Sequence, residues 1–389
     1  MESKLTVDAR VVLLHNFLTP YRVPLFTELA RRFDLEVWIL GDIAKLREWK
    51  GEAPQEAFRR RHLPRLDVPF GSRYNALLLN YTLPRELRAA KFDVLIACGW
   101  DAPAFFWAGY HCRKTGRPFV LWSGSTAAER SWYRTVTLPA VKSLVRCANA
   151  WIAYGTRAKE YLVSLGAREE KTFCAYNTVE LDYFATNAAL SDEERVSLRR
   201  QLSISTEYVA LYCGNLLKMK GITELLQGFA AFSKKHDNVT LLLVGSGRDK
   251  TYFETLARTL GIDERVVFVG YVDRASLPRY YGIADILVHP SHSEVWGLVI
   301  NEALACGVPV IATEVCGAVA DLLRHGENGF IIPVKSPRAI SDALAQFFEL
   351  PPAEQQAMRA AARAAVAPYT IQRAADAFVS AVRCALEES

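Results

Sequence analysis

Short, continuous apolar runs alternate with amphipathic stretches along this chain. RVVLLHNF, rich in β-branched residues, predicts a first strand, PLFTELARRF a helix and LEVWIL the next strand. FDVLIACG, PFVLWSG and ANAWIAYG predict further buried strands, each closed by Gly or a polar turn. After a polar stretch near 186–205 the rhythm restarts: YVALYCGN, VTLLLVGSG, RVVFVG, ADILVHPS and VPVIAT read as strands, with helices such as GITELLQGFAAFSKK between them. Strands that are apolar throughout, separated by helices, belong to parallel sheets covered on both faces. Two such series with a polar join predict two doubly wound α/β domains, 1–185 and 206–365, with 186–205 as linker. The Ala- and Arg-rich end is helical, and 366–389 is expected to pack back on the N-terminal domain. In open parallel sheets ligands bind beyond the carboxyl ends of the strands, so facing sheets would leave a cleft.

Length and composition fit this picture. The 389 residues suit two domains, and 51% hydrophobic with 23% charged residues is ordinary for a globular enzyme. No run reaches the roughly 18 apolar residues of a membrane span, and MESKLTVDAR lacks the basic and apolar regions of a secretory signal. Eight scattered cysteines without a CxxC pair fit reduced thiols in a cytoplasmic protein. Charge is uneven: residues 1–185 hold 27 Lys and Arg against 19 Asp and Glu, and residues 186–389 hold 20 against 23. FRRRHLPR, with Arg59, Arg60, Arg61 and Arg65, is either a solvated surface or an attraction to an anionic partner, a membrane face or a phosphate-bearing acceptor. No nucleic-acid motif accompanies the charge, so nucleic acid is not expected as a partner.

The chemistry concentrates in HSEVWGLVINEALACG, where Glu294 and Glu302 stand eight positions apart. The predicted helix starts near Gly297 and stops at Gly307, so Glu294 lies in the loop before it. Glu302 lies about one and a half turns inside. The N–H groups of Gly297, Leu298 and Val299 have no intrahelical acceptor and form an anion site at the positive end of the helix dipole. Carboxylates are poor phosphate ligands but good acceptors for hydroxyls. A ligand with hydroxyls on both sides of a phosphate fits, and a nucleotide sugar has that form. Taken singly, Glu294 as a helix-end carboxylate and Glu302 as a surface residue are ordinary; their joint placement is not.

With those residues in view, segment 208–345 resembles the C-terminal domain of the retaining GT-B glycosyltransferases, the large family numbered four. SEVWGLVINEALACGVPVIAT carries the E-x7-E pattern as Glu294 and Glu302, and GNLLKMKG, LLLVGSG and AVADLLRHGENGFIIP are similar to further parts of that domain. NTVELDYF resembles the segment leading to the interdomain linker, and NFLTPYRVPLFTELA the opening of polysaccharide-assembly members. The resemblance implies two Rossmann-like domains facing across a cleft, the C-terminal one holding a UDP- or GDP-linked sugar and the N-terminal one a glycan or lipid-linked acceptor, at the inner membrane surface. It implies that Glu302 holds the ribose, Glu294 sugar hydroxyls, and Gly297, Leu298 and Val299 phosphate, while Lys220 neutralises the leaving diphosphate. Gly214 belongs to the loop that holds the donor, and Gly245 with Tyr271 and Val272 would approach the base. Two departures are visible. Asn215 stands where the family has Arg, with Lys218 or Arg22 as substitutes. Ser123, Gly124 and Ser125 stand where many members carry a His.

Tyr21 and Arg22 open the first helix and are candidates for a phosphate or acceptor contact. Asp101 reads as a helix cap ahead of an acceptor ligand. His15 reads as a strand-end residue, His292 as a polar loop residue, and the aromatics of FFWAGY as core or a shallow membrane-facing patch. Without a D-x-D triad or a His/Cys cluster, no metal or other cofactor is expected. The absence of GxGxxG counts against an NAD dehydrogenase. The rival readings are a GT-B nucleotide-sugar epimerase and a catalytically silent, nucleotide-sugar-binding partner subunit.

Overall fold

The structure, a computed structural model, describes residues 6–41, 57–69, 76–129 and 132–388. The chain divides into two compact units, Met1–Asn177 with Tyr369–Ser389, and Thr178–Pro368.

The first unit runs β1 (Arg10–His15), α1 (Val23–Ala30), β2 (Asp34–Ile39), β3 (Arg59–His62), β4 (Leu66–Pro69), β5 (Ala76–Leu79), α2 (Leu83–Ala89), β6 (Val94–Cys98), α3 (Pro103–Thr115), β7 (Phe119–Ser123), α4 (Trp132–Cys147), β8 (Ala150–Ala153), α5 (Thr156–Leu165) and β9 (Thr172–Cys174). Seven strands form one parallel sheet in the order β3-β2-β1-β6-β7-β8-β9, and β4 pairs antiparallel with β5. Successive side chains of a strand face opposite ways. Val11 and Leu13 therefore pack with Phe378, Val379 and Val382 of the C-terminal helix Ile371–Leu386. Val12 and Leu14 pack on the other face with Phe105, Phe119 and Leu162. Both faces are covered, which is why these strands are apolar throughout.

The basic run lies on the edge strand β3, whose four residues are all exposed. Arg59 pairs with Asp34, Arg61 with Glu36 at 3.1 Å and Glu86 at 2.9 Å, and Arg65 with Asp67 at 2.7 Å. Charges on an edge strand block edge-to-edge pairing, so this run has a structural role of its own.

The second unit runs α6 (Leu181–Ala188), α7 (Asp192–Gln201), β10 (Tyr208–Cys213), α8 (Ile222–Phe232), β11 (Val239–Val244), α9 (Lys250–Thr259), β12 (Val266–Gly270), α10 (Leu277–Gly282), β13 (Ile286–His289), α11 (Leu298–Ala305), β14 (Val310–Thr313), α12 (Val319–Leu322), β15 (Gly329–Ile332), α13 (Pro337–Phe348) and α14 (Pro352–Val366). Its six strands form a parallel sheet in the order β12-β11-β10-β13-β14-β15. The polar stretch 186–205 holds α7, opened by a capping box in which Glu194 N donates to Ser191 Oγ and Ser191 N to Glu194 Oε2. In each sheet the strand order reverses beside the first strand, at β1/β6 and at β10/β13. Those are the switch points where ligands of such sheets bind. No helix among the described residues is long and apolar enough to cross a membrane.

Candidate active site

The second unit gathers its chemistry at the carboxyl ends of β10 and β13. Beyond β10, Gly214 and Asn215 lead into a short 3-10 turn, Lys218–Lys220, and Gly221 opens α8. Beyond β13, the loop from Pro290 to Gly297 leads into α11. The two loops meet at one ion pair: Lys220 Nζ donates to Glu294 Oε2 at 2.6 Å. His289, buried at the end of β13, places Nε2 3.5 Å from the same oxygen. Burial opposes ionisation of Glu294, but His289 and Lys220 outweigh it and hold the carboxyl at about 2. Burial likewise opposes charge on His289, yet Cys316 and Glu294 raise it to about 9. Glu294 is therefore a fixed carboxylate, an acceptor rather than a proton shuttle.

The loop that presents Glu294 is braced from behind. Gly317 N donates to Glu294 O at 3.2 Å and Ala318 N to Trp296 O at 3.0 Å. The buried Trp296 donates from Nε1 to Asn301 Oδ1 at 2.8 Å. Gly297 caps α11 at φ 96° and ψ 69°, with no side-chain cap bond. A left-handed residue at this point turns the chain so that the first N–H groups of α11 face outward beside Glu294.

Glu302, one turn into α11, accepts a hydrogen bond from Tyr281 Oη at 2.7 Å. Burial dominates its titration: against the pull of Tyr281 and Arg274, its carboxyl is raised to about 7. The two glutamates of the E-x7-E pattern thus sit on either side of a helix start, with their carboxyls shifted in opposite directions.

Other sequence candidates are distributed around this centre. Gly245 ends β11 against β10, and a Cβ there would collide with the carbonyl oxygen of Gly214. Tyr271 and Val272 follow β12, Tyr271 exposed and Val272 half-buried. Asn215 is exposed. Lys218 is not drawn toward Glu294: its ammonium lies 3.9 Å from the Tyr252 ring centroid, and its N–H donates to Asp249 at 2.9 Å. His292 sits on Glu224, 3.1 Å from Oε2. The sequence reading missed His289, Tyr281 and Arg274. A histidine ending the strand before the E-x7-E segment was a visible signal for the first. Tyr281 and Arg274 come from the β12–α10 region, and no spacing announced them.

In the first unit, Arg22 is 5% exposed and donates to Asn177 Oδ1 at 2.8 Å and to Tyr154 Oη at 2.6 Å. Its guanidinium lies 4.6 Å from the Trp122 ring, 4.8 Å from Tyr154 and 5.4 Å from Tyr21. Gly124 lets the Tyr154 ring lie against the backbone, where a Cβ would clash, and buried Ser123 accepts from Ser125 N at 3.2 Å. Arg22, Tyr21, Ser123 and Gly124 are therefore brought together, while Lys220 and the two glutamates lie on the second unit. His15 is buried beside Phe26 and Trp122, and burial together with Arg22 lowers it to about 3. Asp101 does not cap α3, whose N-cap is Ala102; its carboxylate instead accepts from Asn16 Nδ2 at 2.6 Å. The competing side-chain donor displaces the local capping preference.

Comparison with known proteins matches each unit. The family described as Glycosyl transferases group 1 matches residues 194–365, and Glycosyltransferase Family 4 matches residues 25–183. An uncharacterized glycosyltransferase of Methanocaldococcus jannaschii is 34% identical over 174 residues, 44% of each chain. The N-acetyl-alpha-D-glucosaminyl L-malate synthase of Bacillus anthracis is 31% identical over 157 residues, 40% of each chain. These matches span less than half the length of either relative. The crystal structure of Anabaena HepE in complex with UDP superposes with a TM-score of 0.76 at 20% identity, covering 94% of this chain and 97% of that one. That likeness shows the fold: two Rossmann-like, doubly wound domains of GT-B type. Each parallel-sheet unit thus matches a glycosyltransferase family, the first Glycosyltransferase Family 4 and the second Glycosyl transferases group 1, and the two matches together take in most of the chain.

Proposed function

We propose that this protein is a retaining glycosyltransferase that moves a sugar from a nucleotide-diphosphate sugar to a saccharide or lipid-linked saccharide acceptor in cell-surface polysaccharide synthesis. The observation that carries the reading is the Lys220–Glu294 pair beside the open N-terminus of α11, with Glu302 behind it. In this reading the ribose hydroxyls donate to Glu302 and hydroxyls of the transferred sugar donate to Glu294. The diphosphate lies on the N–H groups of Gly297, Leu298 and Val299. As the sugar–phosphate bond breaks, negative charge grows on the leaving oxygen, and Lys220 and the helix start stabilise it without reorganising. Glu294 is engaged by two cations and weakly basic, so it orients the sugar and is not the nucleophile. The acceptor hydroxyl attacks on the face from which the diphosphate departs and gives its proton to the departing phosphate oxygen, which retains the anomeric configuration.

UDP is the favoured base carrier, because HepE, a protein of the same fold, was crystallised with UDP and with UDP-glucose; GDP is the alternative. No metal is needed in this scheme, since a lysine and a helix terminus carry the neutralisation. The excess of cations in residues 1–185 supports acceptor binding at an anionic surface, the inner face of a membrane. A silent binding subunit remains the second reading, and it is favoured by Asn215 and by the turning of Lys218 onto Tyr252. The test is incubation of labelled UDP- and GDP-sugars with candidate saccharide acceptors, with and without EDTA. Sugar on the acceptor supports transfer, an epimerised donor supports an epimerase, and tight donor binding with neither product supports the silent subunit.

A further inference from the structure

The arginine of the first unit has a chemistry that the donor site does not explain. Arg22 is buried, and its guanidinium donates to two neutral oxygens, Asn177 Oδ1 and Tyr154 Oη. No ion pair involves it among the described residues. Its Nε is buried with no hydrogen-bond acceptor, and the Thr19 hydroxyl nearby in sequence is likewise buried and unsatisfied. A guanidinium taken out of water without a counter-charge is costly, and aromatic faces compensate only part of that cost. The residue is also the N-cap of α1, an eight-residue helix with Pro near its start and no side-chain cap bond. A cation and the positive end of a helix therefore coincide at the carboxyl end of β1, on the switch point of the first sheet.

We propose that this cluster is an oxyanion site of the first unit, in which Arg22 binds an anionic group carried by the acceptor. The proposal rests on the transferase reading for the word acceptor; the site itself rests on Arg22. Asn177 and Tyr154 hold two of the N–H vectors, and the Trp122 ring fixes the plane of the guanidinium. What remains is a planar fork with unused donors, suited to a phosphate or a carboxylate. No ion pair joins Arg22 to Asp101 among the described residues; that carboxylate accepts from Asn16 Nδ2 at 2.6 Å instead.

The two sources of an oxyanion are separable by experiment. The full chain, with its donor site saturated by UDP, is titrated with inorganic phosphate and separately with glucuronate, and the melting temperature is followed. The same is done for Arg22→Met and for Arg22→Lys, which keeps the charge but loses the fork. The expected result is that one anion stabilises the wild type saturably and that Arg22→Met loses at least tenfold in affinity for it. Arg22→Lys should lie between them, and this variant carries the test if the methionine variant fails to fold. A phosphate response assigns the acceptor class as phosphorylated, and a glucuronate response as acidic sugar. No response from the wild type, or equal responses from wild type and variants, overturns the site. Stabilisation by UDP, and by GDP in parallel, is read in the same samples: if either persists while both anions fail, only this inference falls, and if both are absent, the donor reading falls.

Discussion

Lys220 and Glu294 come from loops 74 residues apart and meet at 2.6 Å beside the first turn of α11. Neither loop alone makes a site: the lysine lies at the end of a 3-10 turn, and the carboxylate in a bend held by Gly317 and Ala318. Their pairing pre-orders the ammonium before any ligand arrives. In Lys220→Met the leaving diphosphate loses its nearest cation while Glu294 keeps His289. Turnover, followed as UDP release from the donor, is expected to fall about 10²–10³-fold, as for other preorganised charge-stabilising groups. A loss smaller than tenfold in a folded variant would show that Lys220 does not serve the leaving group.

Glu302 makes donor binding pH-dependent. In the unliganded protein burial holds its carboxyl at about 7, and ribose hydroxyls donate best to the ionised form. Binding then favours proton release, so affinity should rise with pH up to about 7 and level off above it. The terminal phosphate of UDP also titrates, and the ratio of wild-type to Glu302→Gln affinity removes that contribution. Calorimetry should show this ratio climbing between mildly acidic and mildly basic pH, and Glu302→Ala losing about ten- to a hundredfold in UDP affinity, or roughly 1.5–3 kcal/mol. A flat ratio would mean that Glu302 does not meet the ribose.

What the sequence disclosed and what it hid divide along a physical line. The alternation of apolar strands and amphipathic helices is a local property, and so is the strand–loop–helix that carries Glu294, Gly297 and Glu302; both were legible. Lys220 was legible because it stands in a loop of similar form in the family. Tyr281 and Arg274 were not: Tyr281 reaches Glu302 only through the packing of α10, which leaves no periodic trace, and Arg274, paired with Glu180, acts on it only through its charge. The resting place of the Lys218 ammonium was not legible either, since a chain gives no sign that a nearby Tyr252 will take it. Asp101 was misread as a cap because the competing donor, Asn16, is 85 residues away. The polar stretch 186–205 looked like a linker, yet a capping box and charged ends suffice to make α7 from it.

His289 gives stability its own pH signature. Its unfolded value is the ordinary 6.5, and in the folded protein it is raised to about 9. A group raised on folding contributes stability that is fully present below its unfolded value and is lost as pH rises through its folded value. The wild type should therefore lose unfolding free energy between about pH 6.5 and 9 relative to His289→Asn. Urea denaturation across that range measures the difference. Parallel curves for the two proteins would mean that the imidazole is neutral and that Lys220 alone holds Glu294 ionised.

Two glycines of the site should differ sharply in what alanine does to them. Gly297 has φ 96°, but a Cβ there would meet Glu294, His289 and Ile300 at 3.4 Å, ordinary contact distance. Only the left-handed backbone resists, which costs about 1–2 kcal/mol for an L side chain. Gly245 has φ 137° and in addition presses on the carbonyl oxygen of Gly214, so a Cβ must force β10 and β11 apart. Gly297→Ala is expected to fold with unfolding free energy lower by about 1–2 kcal/mol and to bind UDP more weakly, because the start of α11 shifts. Gly245→Ala is expected to lose more than about 4 kcal/mol, the range reserved for core disruption. Urea midpoints of the two variants decide the matter. Equal losses would show that the β10–β11 contact yields easily and that backbone conformation alone selects glycine at both positions.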